Sequence, residues 1–307
     1  MSITITTAPC CWGVDDLRNP NLPPWERVLD EVQAAGYGGM ELGPHGYIPP
    51  ELDKVTVALK RRGLFIVAGT IFDDLVSPSN REHLLRHTDE ICSLITRLPT
   101  PVQTNGERFP SPYLTVMDWG HDERDFAAGH SDRAPRLPDQ EWAGMIGNIK
   151  AIAELATGKY GVRPVIHPHA GGYIEFADEI EEVDADIPSA LAGFCIDTGH
   201  TFYAGMDPSD ILTRYADRVD YIHFKDIDMA VLKRVMGERI RFFEACAEGV
   251  MCPIGKGVID YPGIRECLKR IGYQGYITVE QERDPRNVDG SLSDVKASRD
   301  YLKRVGF

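Results

Sequence analysis

Four short β-rich runs in the second half of the chain end in side chains of the kind that bind metal ions or transfer protons. The run at residues 191–196 is almost entirely apolar, which is typical of a strand buried on both faces, and Asp197 and His200 follow it. The other runs lie at residues 162–169, 219–226 and 276–282. Buried carboxylates and imidazoles are costly unless they are paired or bind a metal. The recurrence therefore predicts a single site at one end of a parallel sheet.

Strand-like and helix-like segments alternate along the whole chain. Strands are expected at residues 3–12, 38–42, 64–72, 112–119, 162–169, 191–196, 219–226 and 276–282. Helices are expected at residues 25–35, 51–62, 80–98, 142–155, 174–183, 208–215, 262–271 and 292–305. This order predicts an α/β fold, a (β/α)8 TIM barrel formed as one domain by residues 1–307, with long loops after strands 4 and 7.

Two segments interrupt the alternation. Residues 100–140 are rich in Pro, Gly, Asn and charged residues outside the expected fourth strand, and residues 227–256 form a second insertion with a helical middle. Irregular segments of this length in a compact fold are usually functional. We expect residues 119–138 and 234–251 to cover the mouth of the barrel. The first of these carries polar groups suited to a polar substrate, namely His121, Arg124, His130 and Arg133.

Charge and cysteine content exclude some classes of function. The net charge of −14 argues against binding to a phosphate backbone, and no basic patch with aromatic residues is present. No apolar run approaches 18 residues, and the N-terminus lacks the pattern of a signal peptide. The seven cysteines include no C-x-x-C pair, which favours reduced thiols in a cytoplasmic protein. The sequence is compatible with either a monomer or a homo-oligomer. No membrane or nucleic-acid partner is expected.

The polar strand ends form a potential metal site. In a (β/α)8 barrel the C-terminal strand ends meet at one mouth, where catalysis takes place. His167, Asp197, His223 and Glu280 would therefore lie near a common centre. Two imidazoles and two carboxylates suit Mn²⁺, Co²⁺, Fe²⁺ or Zn²⁺, whereas Ca²⁺ and Mg²⁺ prefer oxygen ligands alone.

Five motifs carry a resemblance to a known family. They are His-Pro-His-Ala-Gly at 167–171, Asp-Thr-Gly-His at 197–200, His-Phe-Lys-Asp at 223–226, Pro-Ile-Gly-Lys-Gly at 253–257 with Asp260, and Val-Glu-Gln-Glu at 279–282 before Asp284. With these motifs the chain resembles the xylose isomerase-like TIM barrel superfamily of sugar isomerases, epimerases and endonuclease IV relatives. Within it, the resemblance is strongest to the inosose (2-keto-myo-inositol) dehydratase group, and it is most specific in the C-terminal half.

The resemblance implies a ligand set and a reaction. Asp197, His223 and Glu280 correspond to metal ligands shared across the superfamily. Ketose epimerases have a glutamate on strand five, whereas this chain has His167, as the dehydratase group does. The implied function is a metal-dependent hydro-lyase of inositol catabolism that dehydrates a 2-keto-polyol by enolisation and loss of a β-hydroxyl. The implied cofactor is Mn²⁺ or Co²⁺, with Zn²⁺ or Fe²⁺ as alternatives, and the partner is a small polyol or keto-sugar.

Dehydration of a 2-keto-polyol also needs groups that are not metal ligands. One group removes the proton next to the carbonyl and another protonates the departing hydroxyl. We expect His200 and His169 to transfer protons, since imidazole titrates near neutral pH, and Lys225 to hold the enolate oxygen. The expected substrate-binding residues are Glu41, Asp226, Glu282 and Trp12, although Asp226 could instead orient a metal-bound histidine.

Three other functions compete with this one. A ketose 3-epimerase or sugar isomerase would share the barrel and the metal but would release an isomer without loss of water. An endonuclease IV-type enzyme needs several metals, and the third strand offers no histidine for such a cluster. A non-catalytic sugar-binding protein would have no use for a complete ligand set.

Overall fold

The computed structural model describes residues 2–101 and 106–307, and it forms a parallel barrel surrounded by helices. Residues 102–105, which belong to the first predicted irregular segment, lie outside the described residues. The barrel strands are β1 (Ile3–Thr7), β2 (Gly39–Met40), β3 (Phe65–Ile66), β4 (Ala68–Asp73), β5 (Tyr113–Asp118), β6 (Arg163–Ile166), β7 (Gly193–Asp197), β8 (Val219–Phe224) and, after the short strands β9 (Asp226–Ile227) and β10 (Met251–Cys252), β11 (Gly275–Val279).

The barrel closes through one strand that is interrupted at a single residue. Strand β3 pairs with β2, and strand β4 pairs with β5, both in parallel. Val67 lies between them; its N–H donates to the Met40 carbonyl at 2.9 Å, and its own carbonyl accepts from Tyr113 N at 2.9 Å. Segments β3 and β4 are therefore two halves of one barrel strand. The predicted (β/α)8 fold is confirmed.

Helices follow the barrel strands along the chain. They are α1 (Trp25–Ala35), α2 (Leu52–Arg62), α3 (Arg81–Ile95), α4 (Asp122–Asp125), α5 (Asp139–Tyr160), α6 (Ala177–Asp186), α7 (Thr198–Tyr203), α8 (Pro208–Arg214), α9 (Met229–Glu238), α10 (Phe242–Ala247), α11 (Tyr261–Arg270) and α12 (Ser291–Arg304). Each of these helices in the described residues is too short or too polar to span a lipid bilayer.

Two local predictions are wrong. The strand expected at residues 3–12 ends at Thr7, and Pro9–Trp12 forms a 3-10 helix, because the proline has no N–H to continue a strand ladder. No helix was expected between Asp197 and residue 208, but helix α7 begins directly after Asp197. Asp197 is its N-cap, and its Oδ1 accepts from His200 N at 2.9 Å.

Inside the barrel, a layer of buried side chains lies directly below the candidate site. Side chains on a strand alternate between two faces, so residues two apart share a face. Val165, Cys195 and Tyr221 precede the candidate ligands His167, Asp197 and His223 by two residues, and all three are fully buried in one cluster with Tyr113 and Tyr276. The tyrosine rings of this cluster pack together, with 5.0 Å between the Tyr113 and Tyr221 centroids. This apolar layer fills the barrel beneath the mouth.

Candidate functional site at the barrel mouth

The four predicted ligands come together. His167 follows β6, Asp197 ends β7, His223 lies near the end of β8, and Glu280 follows β11. The strand register places Asp197 directly opposite His223. One potential ligand atom from each of these residues lies within 4.8 Å of the others, and all four side chains are buried. The set has the donor types and spacing that a divalent transition metal requires.

His167 supplies the clearest sign that the group fits a cation. The ring is 1% exposed, and neither Nδ1 nor Nε2 has a hydrogen-bond partner among the described residues. Its Nε2 lies 3.6 Å from Asp197 Oδ2. Burial lowers the pKa of His167, so the ring is held in the neutral form that binds metals. Because buried polar atoms almost always have partners, an unpaired imidazole beside a carboxylate fits a metal ligand.

His223 is oriented by a carboxylate from the opposite side of the barrel. Its Nε2 lies 2.8 Å from Glu41 Oε1, and a carboxylate can only accept, so Nε2 carries the hydrogen. The same Glu41 oxygen accepts from the Tyr221 hydroxyl at 2.7 Å. His223 Nδ1 then faces Glu280 Oε2 at 2.9 Å and Asp197 Oδ2 at 3.9 Å. Such carboxylate–histidine pairs are the usual support of metal-binding histidines. Glu41, predicted to bind substrate, contacts these protein groups.

Lys225 brings a positive charge into the same cluster. Its Nζ lies 2.7 Å from Asp197 Oδ2 and 3.1 Å from Glu282 Oε1, and it also pairs with Glu280. Burial disfavours the ammonium, but these carboxylates raise the pKa of Lys225 well above its usual value. The lysine charge in turn holds the pKa of Asp197 well below the usual range, although burial opposes this. A Cβ at residue 199 would collide with Lys225, so Gly199 permits this close approach.

A second group, formed by His169, His200 and Glu282, lies beside the first. The His169 and His200 ring centroids are 4.0 Å apart, and His200 lies 5.2 Å from His167. His200 Nε2 is 3.6 Å from Glu282 Oε1. Burial lowers the pKa of both His169 and His200 well below that of a free imidazole, so both rings are neutral at pH 7.

The hydrogen bonds of the two histidines require opposite tautomers. His169 Nδ1 lies 2.9 Å from the Ala170 carbonyl, which only accepts, so Nδ1 carries the hydrogen and Nε2 keeps a lone pair. The Ala170 N–H donates to His200 Nδ1 at 3.1 Å, so the hydrogen of neutral His200 is on Nε2. The backbone N–H and C=O of Ala170 thus make His169 Nε2 a proton acceptor and His200 Nε2 a hydrogen-bond donor.

Two segments were expected to cover the mouth, residues 119–138 (the first lid segment) and 234–251 (the second lid segment). Aromatic side chains from both pack against these histidines. The Trp119 centroid lies 5.6 Å from His169, and the Phe242 centroid lies 5.2 Å from His200. Phe243 contacts Trp119 with 4.9 Å between centroids. These aromatic residues escaped the sequence analysis, because an isolated Trp or Phe-Phe pair in an irregular segment is indistinguishable from ordinary core residues.

Ion pairs and hydrogen bonds connect the first lid segment to α6 and to the second lid segment. Arg124 was predicted to meet substrate, but its side chain is fully buried and forms an ion pair with Glu179. Asp125 Oδ1 accepts from Phe242 N at 3.0 Å, and Arg241 pairs with the same carboxylate. Arg124 and Asp125 therefore connect this segment to α6 and to the start of α10.

Comparisons with known proteins identify the family of the chain. The sequence profile of the xylose isomerase-like TIM barrel family matches residues 29–305. The chain belongs to this family. Within it, an inosose dehydratase of Geobacillus kaustophilus is 35% identical over 316 residues, covering 98% of this chain and 94% of the relative. The rhizopine catabolism protein MocC of Rhizobium meliloti is 29% identical over 308 residues, covering 99% and 89% respectively.

Solved structures of the same fold include a dehydratase and an epimerase. A probable 3-DHS dehydratase, AsbF of Bacillus anthracis, superposes with a TM-score of 0.71 at 15% identity, covering 98% of both chains. An L-ribulose 3-epimerase gives 0.67 at 15% identity, covering 99% of this chain and 96% of the other. The IOLI protein, solved with a bound zinc atom, gives 0.68 at 12% identity, covering 98% and 97%. At these identities the likeness concerns the xylose isomerase-like fold alone.

Two residues predicted to bind substrate have other partners in this family member. Trp12 is completely buried in the core and donates from Nε1 to Glu31 Oε2 at 2.6 Å. Asp226 accepts four backbone hydrogen bonds, from Ile227, Gly255, Gly257 and Ile259, at 2.8–3.1 Å. Both Asp226 oxygens are used in this way, so the carboxylate holds the 253–259 segment against β9.

Asp15, which was not among the predicted site residues, interacts electrostatically with two carboxylates of the mouth. It lies in the loop after the 3-10 helix, partly buried. Burial, followed by the charges of Glu282 and Glu280, raises its pKa well above that of a free aspartate. The acidic pair Asp15-Asp16 just beyond β1 was the available signal, but an acidic pair in a loop is common without a functional role.

Proposed function

We propose that this protein is a metal-dependent hydro-lyase that dehydrates a 2-keto-polyol such as 2-keto-myo-inositol. The observation that carries the proposal is the presence of two adjacent groups of different character. His167, Asp197, His223 and Glu280 suit a divalent cation. His169 and His200 lie beside them with complementary hydrogen-bonding roles. The relatives named inosose dehydratase support the same reaction class.

The four ligand residues would hold Mn²⁺, Co²⁺, Zn²⁺ or Fe²⁺. When bound, the cation would stabilise negative charge that develops on the substrate carbonyl oxygen during enolisation. Glu41 keeps His223 Nδ1 turned toward Asp197 and Glu280. Lys225 balances the charge of the carboxylates and keeps them ionised.

His169 and His200 would carry out the proton chemistry. His169 Nε2 accepts the proton from the carbon next to the carbonyl, because Nδ1 is engaged with the Ala170 carbonyl. His200 Nε2–H donates a hydrogen bond to the β-hydroxyl and orients it for departure. The protonated His169 then returns its proton to this oxygen as the carbon–oxygen bond breaks, which releases water and restores the neutral ring. The unsaturated product tautomerises to a diketone.

The aromatic cover supports this chemistry. Trp119, Phe242 and Phe243 surround His169 and His200 with apolar surface. Excluding bulk water from an enolate strengthens the electrostatic interactions that stabilise it. The same surface offers apolar contact to the carbon–hydrogen face of a cyclic polyol.

The test is a reaction of the metal-loaded protein with 2-keto-myo-inositol in D₂O, followed by mass spectrometry and ultraviolet absorbance. The proposal requires a product lighter by one water together with solvent deuterium next to the ketone. Deuterium incorporation with an epimerised product of unchanged composition would replace the lyase by an epimerase. His169→Gln is expected to lower kcat by about 10²–10⁴-fold, the usual effect of losing a general base, while metal content stays unchanged.

A further inference from the structure

Three histidines lie close together at the rim of the barrel. They are separate from His167, Asp197, His223 and Glu280, which we call the mouth cluster. His83 and His87 are four residues apart in α3, so their side chains share one face of the helix. Their ring centroids lie 4.9 Å apart. His45, in the segment after β2, lies 5.2 Å from His87. Three imidazoles at this spacing repel one another when protonated, whereas neutral imidazoles at this spacing suit metal binding.

A carboxylate completes the group. Asp73 is the last residue of β4, and its Oδ2 lies 3.1 Å from His83 Nε2. Its Oδ1 accepts from Asp74 N at 2.8 Å and from Asn80 Nδ2 at 3.0 Å, which fixes the carboxylate and leaves Oδ2 directed at the histidines. One potential ligand atom from each of Asp73, His83 and His87 lies within 4.8 Å of the others.

We propose that Asp73, His83 and His87 form a second divalent-metal site that takes Zn²⁺ or a similar borderline-soft cation. Two imidazoles and one carboxylate are a common zinc donor set, and the partly exposed position leaves the remaining coordination open to water. The ion would connect the end of β4 to α3. This site does not rest on the proposed hydro-lyase function, since it shares no residue with the mouth cluster.

The alternative is an ordinary surface ion pair between Asp73 and His83. An exposed pair of this kind contributes about 0–1 kcal/mol to the stability of the fold. Such a pair does not explain why His87 lies next to His83. Arg86 donates to His83 Nδ1 at 3.2 Å, but its side chain is 56% exposed and is free to turn away. A rival triad joins His87 to His45 and Glu90. The Glu90 side chain is 49% exposed, compared with 28% for Asp73, so Asp73 is the better-placed carboxylate.

Zinc stoichiometry tests the proposal. The full chain is dialysed against zinc chloride at two equivalents per chain, and bound zinc is counted by atomic emission. The wild type should hold two ions, the double variant His83→Gln/His87→Gln one, and the matched control His130→Gln two. A wild-type count in the double variant overturns the proposal.

Two further measurements locate the ion. Anomalous diffraction at the zinc edge should give a peak between Asp73, His83 and His87 that persists in Asp197→Asn, where the mouth cluster is impaired. Loss of the rim ion in His45→Gln, with retention in His83→Gln, would assign it to the rival triad and refute the one proposed. Zinc in the mouth alone would also refute it, while leaving the hydro-lyase proposal intact.

Discussion

The contact between Glu41 and His223 allows a quantitative test of how the mouth is organised. Glu41 is 3% exposed, and one of its oxygens accepts from both His223 and Tyr221. A hydrogen bond to a charged group contributes about 1.5–3 kcal/mol. Loss of such a support typically costs about 10–100-fold in metal affinity. We therefore expect Glu41→Ala to weaken the binding of Zn²⁺ or Mn²⁺ at the mouth by that factor, because His223 can then rotate Nδ1 away from Asp197 and Glu280.

Competition against a chelating dye measures the affinity, and circular dichroism verifies that the variant is folded. Tyr221→Phe removes the other donor to the same oxygen but leaves the Glu41–His223 bond, so it should cost less than about tenfold. Glu51→Ala, at an exposed glutamate, serves as the control. Wild-type affinity in Glu41→Ala, or an equal loss in Tyr221→Phe, would refute the reasoning that Glu41 acts through His223.

Three other predictions concern stability. Burial raises the pKa of Glu175 to about 8 from 4.5, so between these pH values the folded state keeps a proton that the unfolded chain has lost. Stability should then fall with rising pH by up to about 1.4 kcal/mol per unit, and urea unfolding of Glu175→Gln should lack this slope. Trp12→Phe should lower the free energy of unfolding by about 1–3 kcal/mol and leave the zinc affinity unchanged. An unchanged melting temperature together with a higher KM would instead support the predicted role of Trp12 in substrate binding. Lys225→Met leaves buried carboxylates unpaired and should cost about 3–5 kcal/mol in EDTA, much of it recovered on adding metal. Equal melting temperatures of the wild type and Lys225→Met in EDTA would contradict this prediction.

The fold and the proximity of the four candidate ligands were accessible from sequence because both depend on local periodicity. Apolar runs at strand spacing, separated by helix-length segments, predicted the barrel, and the residue after each run predicted the mouth. Asp197 and His223 illustrate this, since their positions follow from the strand register. Helix α7 was missed because Thr-Gly-His is a poor helix sequence, whereas in the fold Thr198 exchanges two hydrogen bonds with the Lys225 backbone.

The supporting contacts were not accessible, because they join residues far apart in sequence. Glu41 and His223 are separated by 182 positions, and no local pattern connects them. The Asp226 carboxylate illustrates the same limit. Its sequence position beside Lys225 suggested a role at the mouth, whereas its hydrogen bonds go to backbone groups up to 33 residues away. Tautomers of His169 and His200 likewise follow only from the position of the Ala170 peptide.

The four backbone hydrogen bonds to Asp226 have a consequence for how this barrel can diversify. Together with the antiparallel pairing of β9 and β10, they close the base of the insertion one residue beyond Lys225. Because these contacts anchor the ends of the insertion without using α9 or α10, we expect changes between the anchor points to leave His223 and Lys225 in place. Exchange of residues 229–250 between relatives should therefore alter which polyol is accepted and leave cation affinity unchanged. With the proposed function, such an exchange would separate the residues that select the substrate from those that hold the cation.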